Sequence, residues 1–225
     1  PEERTHYLPN FVDTTLTMPL PWSDYGVPED VPLVVALGRL HANKAFDTLI
    51  SAMAKLPGVW LWIAGEGPER ATLEAHAEKM GVADRVKLIG WIDDAGSVIE
   101  AADIVCVPSR HEPLGNVILE AWARGRPVVA AASEGPSQLI EHDRTGVLAA
   151  IDDAESLATA LTYVLENPDA ADRLAEAGMA RYEQDFAEEA IIEQYLDLYA
   201  RVIEMGPYEQ SIGGRERRLS GIIGR

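Results

Sequence analysis

One feature constrains this chain more than any other: an alternation of short apolar runs with stretches of helical periodicity. The runs are PLVVALG (32–38), VWLWIAG (59–65), RVKLIG (85–90), DIVCVPS (103–109), PVVAAA (127–132) and TGVLAA (145–150). Each has the length of a strand, and turn residues bound them. Between them, apolar residues recur at helical spacing. In KAFDTLISAMAKL (44–56), Phe46, Leu49, Ile50 and Met53 share one face. Further helices are predicted over 68–81, with Pro68 in the first turn and Gly81 at the end, and over 94–102, 115–125 and 136–143. Three more follow near 153–166, 168–184 and 187–204. Strands that are apolar throughout are covered on both faces. The order therefore predicts an α/β fold with a parallel six-stranded sheet between two helical layers.

The expected organisation is a single Rossmann-like domain over 31–205, with extra C-terminal helices. Residues 1–30 carry Pro1, Pro9, Pro19, Pro21 and Pro28 and read as a linker with a turn or short strand at most. Residues 206–225 differ in composition, with glycines and Arg215, Arg217 and Arg218, and read as a loosely docked tail. The start has no basic-then-apolar leader and no initiator Met, so a piece of a longer chain is expected. No apolar run approaches the roughly 20 residues that span a bilayer. Cys106, the single cysteine, lies in an apolar run and reads as a buried, reduced side chain, which fits the cytoplasm. The formal net charge is -18, from 19 basic and 37 acidic side chains, and such a surface repels nucleic acid. Any anionic ligand needs a positive pocket built against that field.

In an open parallel sheet, ligands bind beyond the carboxyl ends of the strands. The loop SRHEPLGN (109–116) is the richest there. Pro113 keeps Glu112 out of a helix. Gly115 and Asn116 stand where the next helix begins, with free N–H groups that favour an anion. Glu120, just over one turn on, can reach beside that position and accept from paired hydroxyls such as those of a ribose. Across the sheet edge, GRLHANK (38–44) offers Arg39 and Lys44, enough charge for a diphosphate. Blander readings stand beside these. Glu120 could be a solvated helix residue, Glu112 a charge favouring the helix dipole, and Arg39 and Lys44 two surface cations. GEGPER (65–70) lacks the third glycine of a dinucleotide fingerprint, so NAD is not expected. Asp93–Asp94 and Asp152–Asp153 read as helix-start charges, and the five histidines have no ligand spacing; no metal is expected.

Glu112 and Glu120, with seven residues between them, resemble the E-x7-E motif of retaining GT-B glycosyltransferases of family 4, the glycogen-synthase-like group. Other blocks resemble the family in the same order: VALGRLHANKAFDTLISAM, IAGEGPERATLE, VKLIGWIDD, ADIVCVPSRHEPLGNVILEAWARGRPVVAA and LIEHDRTGVLA, with YLPNFVD like the interdomain linker. The resemblance runs from about residue 7 to 205. It implies the C-terminal, donor-binding half of a GT-B fold, serving a hexosyltransferase that moves a sugar from a nucleotide-sugar donor with retention of configuration.

The resemblance also implies roles. Arg39 and Lys44, beside Gly38, bind the donor diphosphate, and Gly115 and Asn116, next to Leu114, give it backbone N–H groups. Glu120 holds the ribose, Glu112 contacts the transferred sugar, and Ile92 lies by the nucleobase. The implied partners are a nucleoside-diphosphate sugar and an N-terminal acceptor domain absent from this chain, without which activity is not expected. The face left open makes self-association an expectation to test. The implied location is cytoplasmic, at the inner membrane surface in the full-length protein. Two departures from the family pattern stand out: Ala45 replaces a glycine usual after Lys44, which bears on that loop's shape, and SEGPSQLIE replaces a glycine pair, with Gln138 where an acid is common, which bears on donor identity. The alternatives are a stand-alone nucleotide-sugar-binding module or a sugar-nucleotide epimerase-like protein.

Overall fold

A computed structural model describes residues 8–15 and 17–204; the tail at 206–225 lies outside the described residues. Six strands form one parallel sheet: β1 (Leu33–Leu37), β2 (Trp60–Ala64), β3 (Val86–Gly90), β4 (Ile104–Val107), β5 (Val128–Ala131) and β6 (Val147–Ala149). Their spatial order is β3-β2-β1-β4-β5-β6. That is the doubly wound arrangement, whose switch point falls between β1 and β4. The expected fold class is the one observed.

Alternate residues of each strand feed opposite layers, as the two-residue period requires. Val34, Ala36, Leu61, Ile63, Ile104, Cys106 and Val129 face α1 (Phe46–Met53), α2 (Arg70–Met80) and α6 (Ala154–Glu166). Leu33, Val35, Trp62, Val105, Val107 and Val128 face α3 (Ala95–Glu100), α4 (Asn116–Trp122) and the end of α7 (Pro168–Asp185). Burial raises the thiol pKa of Cys106, which keeps it protonated. On the second face Trp122 is wholly buried and donates its indole N–H to Thr145 O at 2.9 Å.

Three helix starts differ from the sequence expectation. Residues 42–44 make a 3-10 turn, Ala45 turns left-handed at φ 52°, and α1 begins only at Phe46. So Ala45 adopts the backbone that a glycine would adopt freely, at a cost of roughly 1–2 kcal/mol. The helix expected from Pro68 begins at Arg70, because Gly67–Glu69 are occupied in a turn against Leu40, whose carbonyl accepts from Glu69 N. The helix expected at 136–143 is α5 (Glu134–Leu139), which starts earlier because Pro136 is tolerated within a first turn.

The proline-rich segment is docked rather than free along its described part. Val12 and Val27 are buried, Trp22 donates to Ala101 O at 2.9 Å, and the Tyr25 ring packs tilted against Trp62 at 5.0 Å. At the other end, α8 (Glu188–Glu204) buries only Ile191 and exposes Ile192, Leu196, Tyr199, Val202 and Ile203. No helix among the described residues is long and apolar enough to cross a membrane.

Candidate functional site

Four loops meet at the carboxyl ends of β1–β4. The first three strands end in glycines with positive φ: Gly38, Gly65 and Gly90. At Gly65 the reason is close approach, since a Cβ there would lie 2.0 Å from Gly38 O. These glycines let the β1 and β2 loops touch and leave a hollow above them. The glycines of GEGPER thus let the β2 loop pack closely on the β1 loop, with Gly67 against the Leu40 backbone.

The hollow is a cleft of about 500 Å³. Gly38, Arg39 and Lys44 enter from the β1 loop, Trp91 and Ile92 from the β3 loop, and Val117 and Glu120 from α4. Residues far apart in sequence, chosen there for a nucleotide site, therefore share one cavity. Arg39 is exposed and has no ion-pair partner among the described residues. Glu120 is largely buried; burial raises its carboxyl pKa, the Arg124 guanidinium opposes this, and Asp13 adds to it. Its carboxylate makes no hydrogen bond among the described residues. Its oxygens are not sealed from solvent, so hydroxyls of a ligand can reach them.

Glu112, Leu114, Gly115 and Asn116 do not line the cleft wall. They form the adjoining lip across the switch point. Gly115 caps α4 at φ 84°, a left-handed backbone that favours glycine, and a Cβ there would crowd Leu139 and Ile118 at 3.0 and 3.1 Å. Asn116 and Leu114 are exposed. Glu112 reaches into the cleft region: its carboxylate accepts from Lys44 Nζ at 2.5 Å, from Ser109 Oγ at 3.3 Å and from Gly115 N at 3.4 Å. The β1 and β4 loops are also clamped by Arg110, whose backbone N–H donates to Asn43 O and whose guanidinium grips both Asp47 oxygens at 2.8 and 2.9 Å.

Several contributors carry no local signal in the sequence. Arg110 and Ser109 sat beside the motif without a stated role. Trp91, 72% exposed, forms part of the cleft and donates its indole N–H to Asp93 at 2.8 Å. In the segment after β5, Gln138 is exposed, and Glu134 is the side chain that touches the lip. It binds His111 at 2.8 Å and accepts from Glu112 N at 3.4 Å. Its own backbone N–H, then His111, hold its carboxyl pKa below the ordinary value. Within the segment that departs from the family's glycine pair, the contact with the lip is made by Glu134 and not by Gln138. Asp94 and Asp153 cap α3 and α6, as helix-start charges should.

Among proteins of known type, the family described as glycosyl transferases group 1 matches residues 23–181, more than half of the chain. The chain belongs to that family. The lipopolysaccharide core biosynthesis glycosyltransferase LpsE of Rhizobium meliloti (strain 1021) is 41% identical over 191 residues, 85% of this chain and 56% of that protein. Glycogen synthase of Mycobacterium tuberculosis (strain ATCC 25618 / H37Rv) is 36% identical over 156 residues, 67% of this chain and 38% of the relative. The chain spans about half or less of the length of these curated relatives. Anabaena HepE, solved in complex with UDP-glucose, superposes with a TM-score of 0.82 at 28% identity over 89% of this chain and 58% of its own. The C-terminal domain of a group 1 family protein (LpcC) from Francisella tularensis matches over its whole length, with 79% of this chain covered, a TM-score of 0.68 and 24% identity. That last likeness concerns the fold alone. The fold is the C-terminal domain of a GT-B glycosyltransferase.

Proposed function

We propose that this group 1 domain holds the nucleotide-sugar donor of a retaining glycosyltransferase. The single observation that carries the reading is the cleft itself. At the carboxyl ends of β1–β3 it joins Lys44 with Arg39 and a partly buried Glu120, neither of which has an ion-pair partner among the described residues. Arg39 and Lys44 take the diphosphate, helped by the N–H groups of Gly115 and Asn116, and stabilise it as it leaves with the charge it gains. Glu120 accepts from the ribose hydroxyls, Ile92 and Trp91 bracket the base, and Glu112 addresses the transferred hexose. That HepE was solved with UDP-glucose supports a nucleoside-diphosphate sugar as the ligand class. The acceptor is held by a further domain, and this chain alone carries out no transfer.

The test is saturation-transfer NMR with UDP-glucose on this chain and on Glu120→Ala. Saturation of ribose protons that the substitution removes is expected. Ribose saturation unchanged in Glu120→Ala would contradict the role given to that carboxylate.

A further inference from the structure

The contact between Lys44 and Glu112 has a consequence for how any donor enters. Lys44 Nζ lies 2.5 Å from Glu112 Oε2, and the two side chains are 26% and 13% exposed. Neither charge is well hydrated, so each depends on the other. The remaining donors on the carboxylate come from its own loop: Ser109 Oγ at 3.3 Å and Gly115 N at 3.4 Å. Lys44 and Gly115 are the same groups that the proposed function assigns to the diphosphate. They already hold an anion, and that anion belongs to the protein.

We propose that Glu112 is a resident stand-in for the donor: from the lip its carboxylate holds Lys44 where a phosphate would lie, and an incoming diphosphate displaces it. The proposal rests on the reading of the cleft as a nucleoside-diphosphate site. Binding is then an exchange of one anion for another on Lys44. No bond is made or broken, and Lys44 remains paired throughout. The displaced carboxylate is free to turn toward the sugar that follows the phosphates. Arg39, with no ion-pair partner among the described residues, is the charge that meets the ligand first. The arrangement also selects. A nucleoside or free sugar brings no anion to replace Glu112 on Lys44, so it leaves the pair closed.

The experiment is a double-mutant cycle read by calorimetry on the 225-residue chain, with UDP, GDP and ADP as probes. The variants are Glu112→Gln, Lys44→Met and the pair together, with Glu112→Ala as a second removal of the charge. Melting curves establish that each is folded. If the stand-in occupies the site in most molecules, its removal lifts a population penalty of about ten-fold. Glu112→Gln and Glu112→Ala therefore bind the preferred diphosphate about ten-fold more tightly than wild type. In the Lys44→Met background the same substitution changes nothing, because no site remains to compete for. Equal or weaker binding by both Glu112 variants would overturn the proposal. So would tightening of the same size without Lys44, since that is plain repulsion between carboxylate and phosphate. Failure of the wild-type chain to bind any of the three nucleotides would instead overturn the reading of the cleft, and the proposal with it.

Discussion

The substitution Gly135→Ala sets two effects of similar size against each other. Gly135 lies in the first turn of α5, where alanine is a better helix former than glycine by about 1 kcal/mol. A Cβ at this position, however, would lie 2.7 Å from Glu112 O and 2.8 and 2.9 Å from the backbone of Leu114. These are backbone atoms of the lip, and Gly135 N donates to that same Glu112 O at 2.7 Å. No side chain can swing away. To reach ordinary contact the lip must withdraw by roughly half an ångström or more, and forced insertions of this kind cost about 1–3 kcal/mol. Net destabilisation of about 1 kcal/mol is expected, which lowers the melting temperature by roughly 2–4 °C. The Leu114–Gly115 peptide moves with the lip, so the amide offered to the diphosphate is misplaced and nucleotide affinity falls several-fold. Urea denaturation and nucleotide titration of the variant read both. A variant at least as stable as wild type, with unchanged affinity, would refute the reasoning, because it would mean that α5 does not brace the lip.

Three further outcomes are expected. Burial raises the folded-state pKa of Glu120 above the ordinary 4.5, so the folded protein binds a proton more readily than the unfolded chain. Stability on this account falls as pH rises from 4.5 through the folded value, so Glu120→Gln is more stable than wild type at pH 7, an advantage that shrinks on acidification. Urea midpoints for both proteins at pH 7 and pH 5 test the sign; an advantage that grows toward acid contradicts it. Arg39→Ala changes stability by less than about 0.5 kcal/mol, as befits an exposed residue with no ion-pair partner among the described residues. It weakens nucleotide binding about ten-fold and flattens its dependence on salt, which titrations at two ionic strengths measure. Gly178→Ala in α7 puts a Cβ 2.4 Å from the buried Trp122 ring and destabilises by about 1–3 kcal/mol, visible as a quenched or shifted tryptophan signal together with a lower melting temperature.

The parts of the fold that could be read from sequence share one physical property: their signal is local. Strands such as Leu33–Leu37 and Trp60–Ala64 are apolar throughout because both faces are covered, and Gly65 after the second is demanded by the Gly38 backbone that lies against it. Helix starts were less legible because neighbours in space decide them. Ala45 is left-handed and Gly67–Glu69 stay out of α2 to meet the adjacent loop. The same holds for the segment before β1. Its prolines signal irregular backbone correctly, but nothing local says that Val12, Trp22 and Val27 dock on the α3–α4 layer. In the site, the residues of the E-x7-E spacing and the β1 loop were legible as a set. Their mutual geometry was not. The pairing of Lys44 with Glu112 spans 68 positions. The support of Glu112 by Glu134 comes through a loop whose departure from the family pattern drew attention to Gln138 instead. Glu120 could be placed beside the cleft from its spacing, but only the structure shows that its carboxylate makes no hydrogen bond among the described residues.

Arg39 and Glu120 are the side chains through which we propose that the cleft over β1–β3 binds a nucleoside diphosphate. Calorimetric titration of the chain with UDP, GDP and ADP, repeated on Arg39→Ala and Glu120→Ala, tests it most directly. Binding of one nucleotide, weakened by both substitutions, is the predicted result. Binding by none of the three, or binding that neither substitution alters, would contradict the account.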